Sequence, residues 1–121
     1  MTFIVFVLTH KKLYYARETG VDWIEARSGP WGKGPLPAGA YLVEPPVTFD
    51  ALPDSPYSDG KGFSWFARLH PQFKTDRSGF GIHPDGNVPG TKGCIGLVLE
   101  DSRPFYDWLG AAKGPINLMV V

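Results

Sequence analysis

The chain has 121 residues, 43% hydrophobic and 20% charged, with twelve basic residues balancing twelve acidic ones for a formal net charge of zero. That length fits one domain, residues 1–121, able to bury a core without disulfide or metal staples. Neutral charge without a basic run excludes a nucleic-acid or anionic-membrane footprint, and one cysteine excludes an internal disulfide.

In chain order, TFIVFVLT at 2–9 is dense in β-branched and aromatic residues and predicts a buried strand. It is too short to span a bilayer, and it lacks the positive flank and small-residue cleavage site of an export signal, so no membrane insertion is expected. KKLYYARET reads as the second arm of a hairpin turning around His10 to Lys12, and VDWIEAR as a third strand. SGPWGKGPLPAG carries too much Gly and Pro for a helix or a central strand. AYLVE resumes a strand that stops at Pro45-Pro46, and residues 47–62 read as a loop with one short helical turn. GFSWFARLHP alternates, with Phe63, Trp65 and Ala67 on one face and Ser64, Phe66 and Arg68 on the other. FGIH is a short strand running into a Gly/Pro loop, and CIGLVL is a strand or a tight turn into a helix. EDSRPFYDWLGAAK is the helix, with Phe105, Trp108, Leu109 and Ala112 at i, i+3, i+4 and i+7 and a stop at Gly114-Pro115. PINLMVV is the last strand. Seven or so short strands and one helix, without long helical crossovers, predict a mainly β, mostly antiparallel sandwich or barrel.

The stretch GFGIHPDGNVPGTKGCIGL, residues 79–97, holds the chemistry. Cys94 follows His83 by eleven positions across a Gly- and Pro-rich segment able to fold back. A free thiol ionises near pH 8.5, so a reactive one needs an imidazole to take its proton or to pair with the thiolate. A depressed thiol pKa predicts alkylation by iodoacetamide at neutral pH faster than in the unfolded chain. Gly93 lets main chain approach a substrate carbonyl, and the N–H groups of Gly93 and Cys94 make a candidate oxyanion site. Arg68 and Arg77 flank the stretch and suit a carboxylate, while Lys92 places a cation two residues from the thiol. His70 is a second candidate base; Trp31, Trp65 and Tyr57 suit either a groove wall or a core. His70, His83, Asp85 and Cys94 lack any zinc-site spacing, so no metal is expected. The residues alone leave two readings open: a nucleophile with its base, or a small buried thiol beside a loop.

The stretch resembles the active-site motif of the L,D-transpeptidases (YkuD-type catalytic domain). FGIHPDG is similar to the family's "IHG" element, GTKGCIGL to its "SHGC" element, and GPLPAGAYLV to its "TPxGxF" element. The family's Ser is Thr91 here, its His before the Cys is Lys92, its Arg or Asn two places after the Cys is Gly96, and the His-to-Cys interval is shorter. The resemblance implies a β-rich sandwich-like fold with a short helix. It implies Cys94 as nucleophile, His83 as base and Gly93 as shaper of the oxyanion site, with Arg77, Arg68, Lys92 and Thr91 as candidate substrate-binding residues. The implied partner is a peptidoglycan peptide stem, cut or transferred without a cofactor at the L,D-bond between meso-diaminopimelate and D-Ala. Short length and lack of a visible signal further imply a monomer acting in the periplasm or cell wall. It would be either an antibacterial effector delivered by phage or secretion system, with an immunity or delivery protein as partner, or a domain of a longer exported protein. The competing reading is a non-catalytic β-sandwich module that binds muropeptides or glycans and carries an inert thiol.

Overall fold

The computed structural model describes residues 2–50, 55–86 and 89–121. Its strands are β1 (Phe3–Val7), β2 (Lys12–Arg17), β3 (Gly20–Arg27), β4 (Gly39–Val43), β5 (Val47–Thr48), β6 (Trp65–Pro71), β7 (Gly81–Pro84), β8 (Ile95–Leu97) and β9 (Ile116–Val120), with one helix, α1 (Arg103–Ala111), between the last two. The sheet runs β4-β9-β1-β2-β3-β8-β7-β6-β5, and a further pairing of β4 with β6 closes it into a barrel. The expected mainly β architecture with one helix is therefore what forms. Closure pairs the long edges that an open sheet of this size would expose and leaves the two-residue β5 at the rim.

The periodicity of the sequence carries most of this. Along β1 every second residue, Ile4 and Phe6, is buried; on β9 the same rhythm buries Ile116, Leu118 and Val120. Trp65, Ala67 and Leu69 of β6 point into the same interior, joined by Tyr41 and Val43 of β4 and Leu13 of β2. Phe105 and Leu109 anchor α1, with Phe105 edge-on to Tyr15 at 5.0 Å between centroids. Ala112, expected on the helix's apolar face, is exposed and lies just past its last turn.

Two features depart from the expected layout. β5 forms within the segment read as a loop; the helical turn expected at 47–62 falls partly outside the described residues, since 51–54 are not among them. Also, β1 with β9 and β7 with β8 pair in parallel, whereas the remaining pairings are antiparallel. A parallel neighbour cannot be reached by a tight hairpin, so the chain must travel back over the sheet before the second strand starts. Between β7 and β8 that return carries the Gly/Pro-rich stretch and ends on Cys94.

β7 and β8 are buried on both faces, unlike the alternating strands around them. Ile82, Ile95 and Leu97 fill the interior, and His83 lies on the outward side beneath other chain. Among the described residues no helix is long and apolar enough to cross a membrane.

Candidate active site

Register places the thiol beside the imidazole. Ile82 stands opposite Ile95 and His83 opposite Gly96, so Cys94 falls across from Gly81. Gly81 and His83 share the outward face by strand alternation, and Cys94 shares it with Gly96, a diagonal step of about 8 Å between backbones. His83 and Cys94 both line one cleft of about 780 Å³, within the range of sites that bury a small ligand. Trp31 and Gly32 supply one part of its wall, Pro56 and Tyr57 another, and Thr91 and Lys92 the turn before the thiol.

His83 is 4% exposed, and burial pushes its pKa below the ordinary imidazole value; the Pro84 carbonyl and the Asp85 carboxylate pull it partly back. Its Nδ1 lies 2.6 Å from the Pro84 carbonyl oxygen. A carbonyl only accepts, so Nδ1 carries the proton and Nε2 holds the lone pair of the neutral ring. Phe66 stacks along the imidazole at 6.1 Å between centroids, and Tyr57 meets it edge-on at 4.7 Å. The stack needs Gly81: a Cβ there would fall 2.1 Å from the Phe66 ring.

Burial likewise pushes the Cys94 thiol above its ordinary value, with a backbone hydrogen bond from Gly81 opposing it, and Sγ donates weakly to the Gly79 carbonyl at 3.7 Å. The resting pair is thus a neutral thiol and a neutral imidazole. The expected depressed thiol pKa is corrected: both groups are too poorly solvated to separate charge before substrate arrives.

The turn holding the sulfur is fixed from within. The Thr91 hydroxyl donates to the Cys94 carbonyl at 2.6 Å and accepts from the N–H of Gly93 at 3.2 Å and of Gly29 at 3.1 Å. Main-chain bonds add Thr91 N–H to Gly29 O at 2.9 Å and Trp31 N–H to Thr91 O at 3.1 Å. Thr91 lines the cleft, yet its hydroxyl is spent on backbone. Gly93 adopts φ +130°, and a Cβ there would lie 2.6 Å from Arg77 Nη2. Its N–H is committed to Thr91, which leaves the Cys94 N–H as the donor of the expected pair to meet an oxyanion. Thr91→Ser is expected to keep turnover within about threefold. Thr91→Val strands two donors and one acceptor and is expected to cost about 2 kcal/mol in denaturant unfolding, with a loss of activity beyond the loss of folded protein.

The arginines divide. Arg77 donates to the carbonyls of Pro35 at 2.9 Å, Gly34 at 3.2 Å and Lys92 at 3.5 Å, and lies over the Phe80 ring. It laces the 34–35 loop to the turn that ends on Cys94. Arg68 is not brought to the cleft; it sits exposed on β6, 3.8 Å from Glu44. His70 bonds the same Glu44 at 2.7 Å and lies outside the cleft, so it offers no alternative base. Trp65 is core, its Nε1–H donating to Ser102 Oγ at 2.8 Å, whereas Trp31 and Tyr57 do wall the groove. Among the described residues no cluster of His, Cys, Asp and Glu could hold a metal ion.

Lys92, the residue in place of the family's His, is exposed and borders a second hollow of about 250 Å³ lined by Lys33, Asp76, Arg77, Ser78, Phe80 and Lys92. Ser78, Phe80 and Lys92 belong to both hollows, so the cationic one continues the cleft. Sequence reasoning missed Lys33; its place in a Gly/Pro loop gave no sign that the loop folds beside the turn that ends on Cys94.

The chain superposes on solved L,D-transpeptidases. L,D-transpeptidase 1 of Mycobacterium tuberculosis matches at 18% identity and TM-score 0.61, over 99% of this chain and 61% of that one. The L,D-transpeptidase of Mycobacterium smegmatis matches at 20% identity and TM-score 0.62, over 99% of this chain and 58% of that one. The ertapenem-acylated catalytic domain of the E. faecium enzyme matches at 20% identity and TM-score 0.55, over 99% and 96%. The chain thus spans about three fifths of the mycobacterial chains and nearly all of the isolated catalytic domain. No curated protein matches the sequence. The family profile described as the L,D-transpeptidase catalytic domain (YkuD) matches residues 1–118, and the chain belongs to that family.

Proposed function

We propose that this domain performs cysteine acyl transfer on peptidoglycan peptide stems at an L,D-bond, that between meso-diaminopimelate and D-Ala. The supporting observation is a thiol and a lone-pair-bearing imidazole lining one cleft on the outward face of β7 and β8. As Cys94 Sγ bonds to the substrate carbonyl carbon, His83 Nε2 takes the thiol proton. The Cys94 N–H meets the oxyanion, and the imidazolium returns the proton to the departing D-Ala amine. The thioester then passes to an amine of a second stem, forming a cross-link, or to water. No cofactor enters.

The cationic extension suits a stem carboxylate. The side-chain ammonium groups of Lys33 and Lys92 carry no hydrogen bond or ion pair among the described residues and outnumber the one carboxylate there, Asp76, whereas Arg77 is spent on carbonyls. Lys92→Glu is expected to raise KM for a tetrapeptide stem about tenfold and leave kcat within about threefold, since a rim charge acts on binding more than on chemistry.

Mass spectrometry of purified tetrapeptide muropeptides after incubation tests the proposal. Loss of one alanine indicates hydrolysis, and a new cross-linked mass indicates transpeptidation. Unchanged masses together with measurable binding would sink the catalytic reading in favour of the binding module.

A further inference from the structure

The sequence singled out Asp85 only as an unconvincing metal ligand, and nothing in the acyl-transfer chemistry uses it. It is nevertheless 1% exposed and heavily bonded. Its Oδ2 accepts from Arg27 Nε at 2.6 Å and from the N–H of Gly90 at 3.0 Å, while Arg27 Nη2 donates to the Asp85 main-chain oxygen at 3.1 Å. The Asp85 N–H is bonded to the Leu97 carbonyl of β8 at 2.9 Å. Oδ1 has no partner among the described residues.

These contacts join the two halves of the site. Asp85 lies two residues beyond His83, on the same outward face of its strand. Gly90 opens the turn that ends on Cys94. One carboxylate oxygen therefore ties the base's strand to the nucleophile's turn, and Arg27 holds that oxygen from β3. The strand register makes this reach short, because Arg27 stands opposite Gly96, beside His83 across the sheet. Gly96 supplies the room: a Cβ there would lie 2.6 Å from the Asp85 Cβ and 2.8 Å from Oδ2. The glycine that departs from the family pattern and the arginine that pairs with Asp85 thus belong to one arrangement, in which the Asp85 carboxylate occupies the space beside Gly96 and Arg27 holds it from the neighbouring strand.

We propose that Arg27 is a positioning residue of the active site, acting through Asp85 to set the separation between His83 and Cys94. Neither Arg27 nor Asp85 lines the cleft. Without the guanidinium, Asp85 would be a buried carboxylate with no counter-ion. It would turn toward water, which loosens its hold on Gly90. The fork matters as well as the charge, because Arg27 bonds a side-chain and a main-chain oxygen at once, which one ammonium on a flexible stem does not reproduce.

The inference rests on the proposed Cys94–His83 chemistry, and the test separates the two. Arg27→Met and Arg27→Lys are assayed for kcat and KM on tetrapeptide muropeptides per folded molecule, and for the iodoacetamide rate of Cys94, which needs no turnover. Arg27→Met is expected to lose about 100-fold in kcat with KM within about threefold, the scale for a small misplacement of reacting groups. Arg27→Lys, retaining charge without the fork, is expected to lose about tenfold in kcat. A residue that only stabilises the fold would lower Tm and leave kcat per folded molecule intact. If Arg27→Met does not fold, Arg27→Lys decides alone. A kcat within twofold of the parent in a folded variant overturns the proposal, as does a loss confined to KM. If the parent turns over no muropeptide, the functional reading fails and alkylation decides the positioning. Both arginine variants, like His83→Ala, should then react several-fold more slowly than the parent at pH 7, and a rate within twofold of the parent overturns the inference.

Discussion

Replacing Cys94 with alanine is expected to abolish conversion of tetrapeptide muropeptides while far-UV circular dichroism and Tm stay near those of the parent. The sulfur donates one weak hydrogen bond, to the Gly79 carbonyl, and accepts one from the Gly81 backbone, so its removal disturbs packing little. The imidazole is held independently by Pro84, Phe66 and Tyr57 and should stay in place. His83→Ala is expected to slow the reaction by about 10²–10⁴-fold, the usual loss for a general base. The pH profile carries the mechanism further. Burial depresses the His83 pKa, so the ring stays neutral down to and below its ordinary value near 6.5. The acid limb of kcat/KM should then fall below pH 6.5. A preformed thiolate–imidazolium pair predicts instead a limb set by the thiol, together with rapid alkylation. With the thiol pKa raised by burial, iodoacetamide should react with the folded protein at pH 7 more slowly than with the unfolded chain. An acid limb at or above pH 7, or alkylation accelerated by folding, would refute the neutral-pair mechanism.

That reversal shows which part of the site a sequence can carry. The types and order of Cys94 and His83 were legible, because a lone thiol behind a glycine and an imidazole across a Gly/Pro loop are local features. Their ionisation was not, since it depends on how much chain covers the outward face of β7 and β8. Strand positions were legible from alternation on β1, β6 and β9. The closing pairing of β4 with β6 and the parallel partnership of β7 with β8 were not, because pairing between distant segments leaves no mark in either one. The arginines show the same limit. Arg68 and Arg77 look alike in sequence, yet one reaches solvent beside Glu44 while the other is captured by carbonyls of residues 34 and 35. Arg27, at the end of an ordinary strand, matters only through a contact 58 residues along the chain. Gly96 could be read as a departure from a motif but not as the space an ion pair occupies.

Asp59→Ala is expected to be among the most destabilising single changes in the chain and to reach the active site through the cleft wall. Asp59 is 3% exposed, and its carboxylate gathers the segment that carries Pro56 and Tyr57. Oδ1 accepts the N–H groups of Lys61 at 2.8 Å and Phe63 at 3.0 Å; Oδ2 accepts the Ser102 N–H at 2.8 Å and its hydroxyl at 2.7 Å. Ser102 in turn receives the indole N–H of Trp65 and leads into α1, so one side chain joins the segment, the core and the helix. Alanine strands several buried donors, a cost of about 3 kcal/mol or more, and should lower Tm by about 10 °C. Tyr57 then loses its rigid approach to His83, and kcat/KM should drop beyond the loss of folded protein. Burial alone would raise the Asp59 pKa, but the bonds from Ser102, Phe63 and Lys61 outweigh it and hold the carboxyl below its ordinary value. A depressed pKa stabilises the fold above the unfolded value near 3.9, and that contribution disappears as pH falls through the lower folded value. The stability gap between parent and Asp59→Asn should therefore be full at pH 7 and shrink below about pH 4. A gap constant from pH 7 to pH 3 would mean that the charge of Asp59 is not what holds the wall.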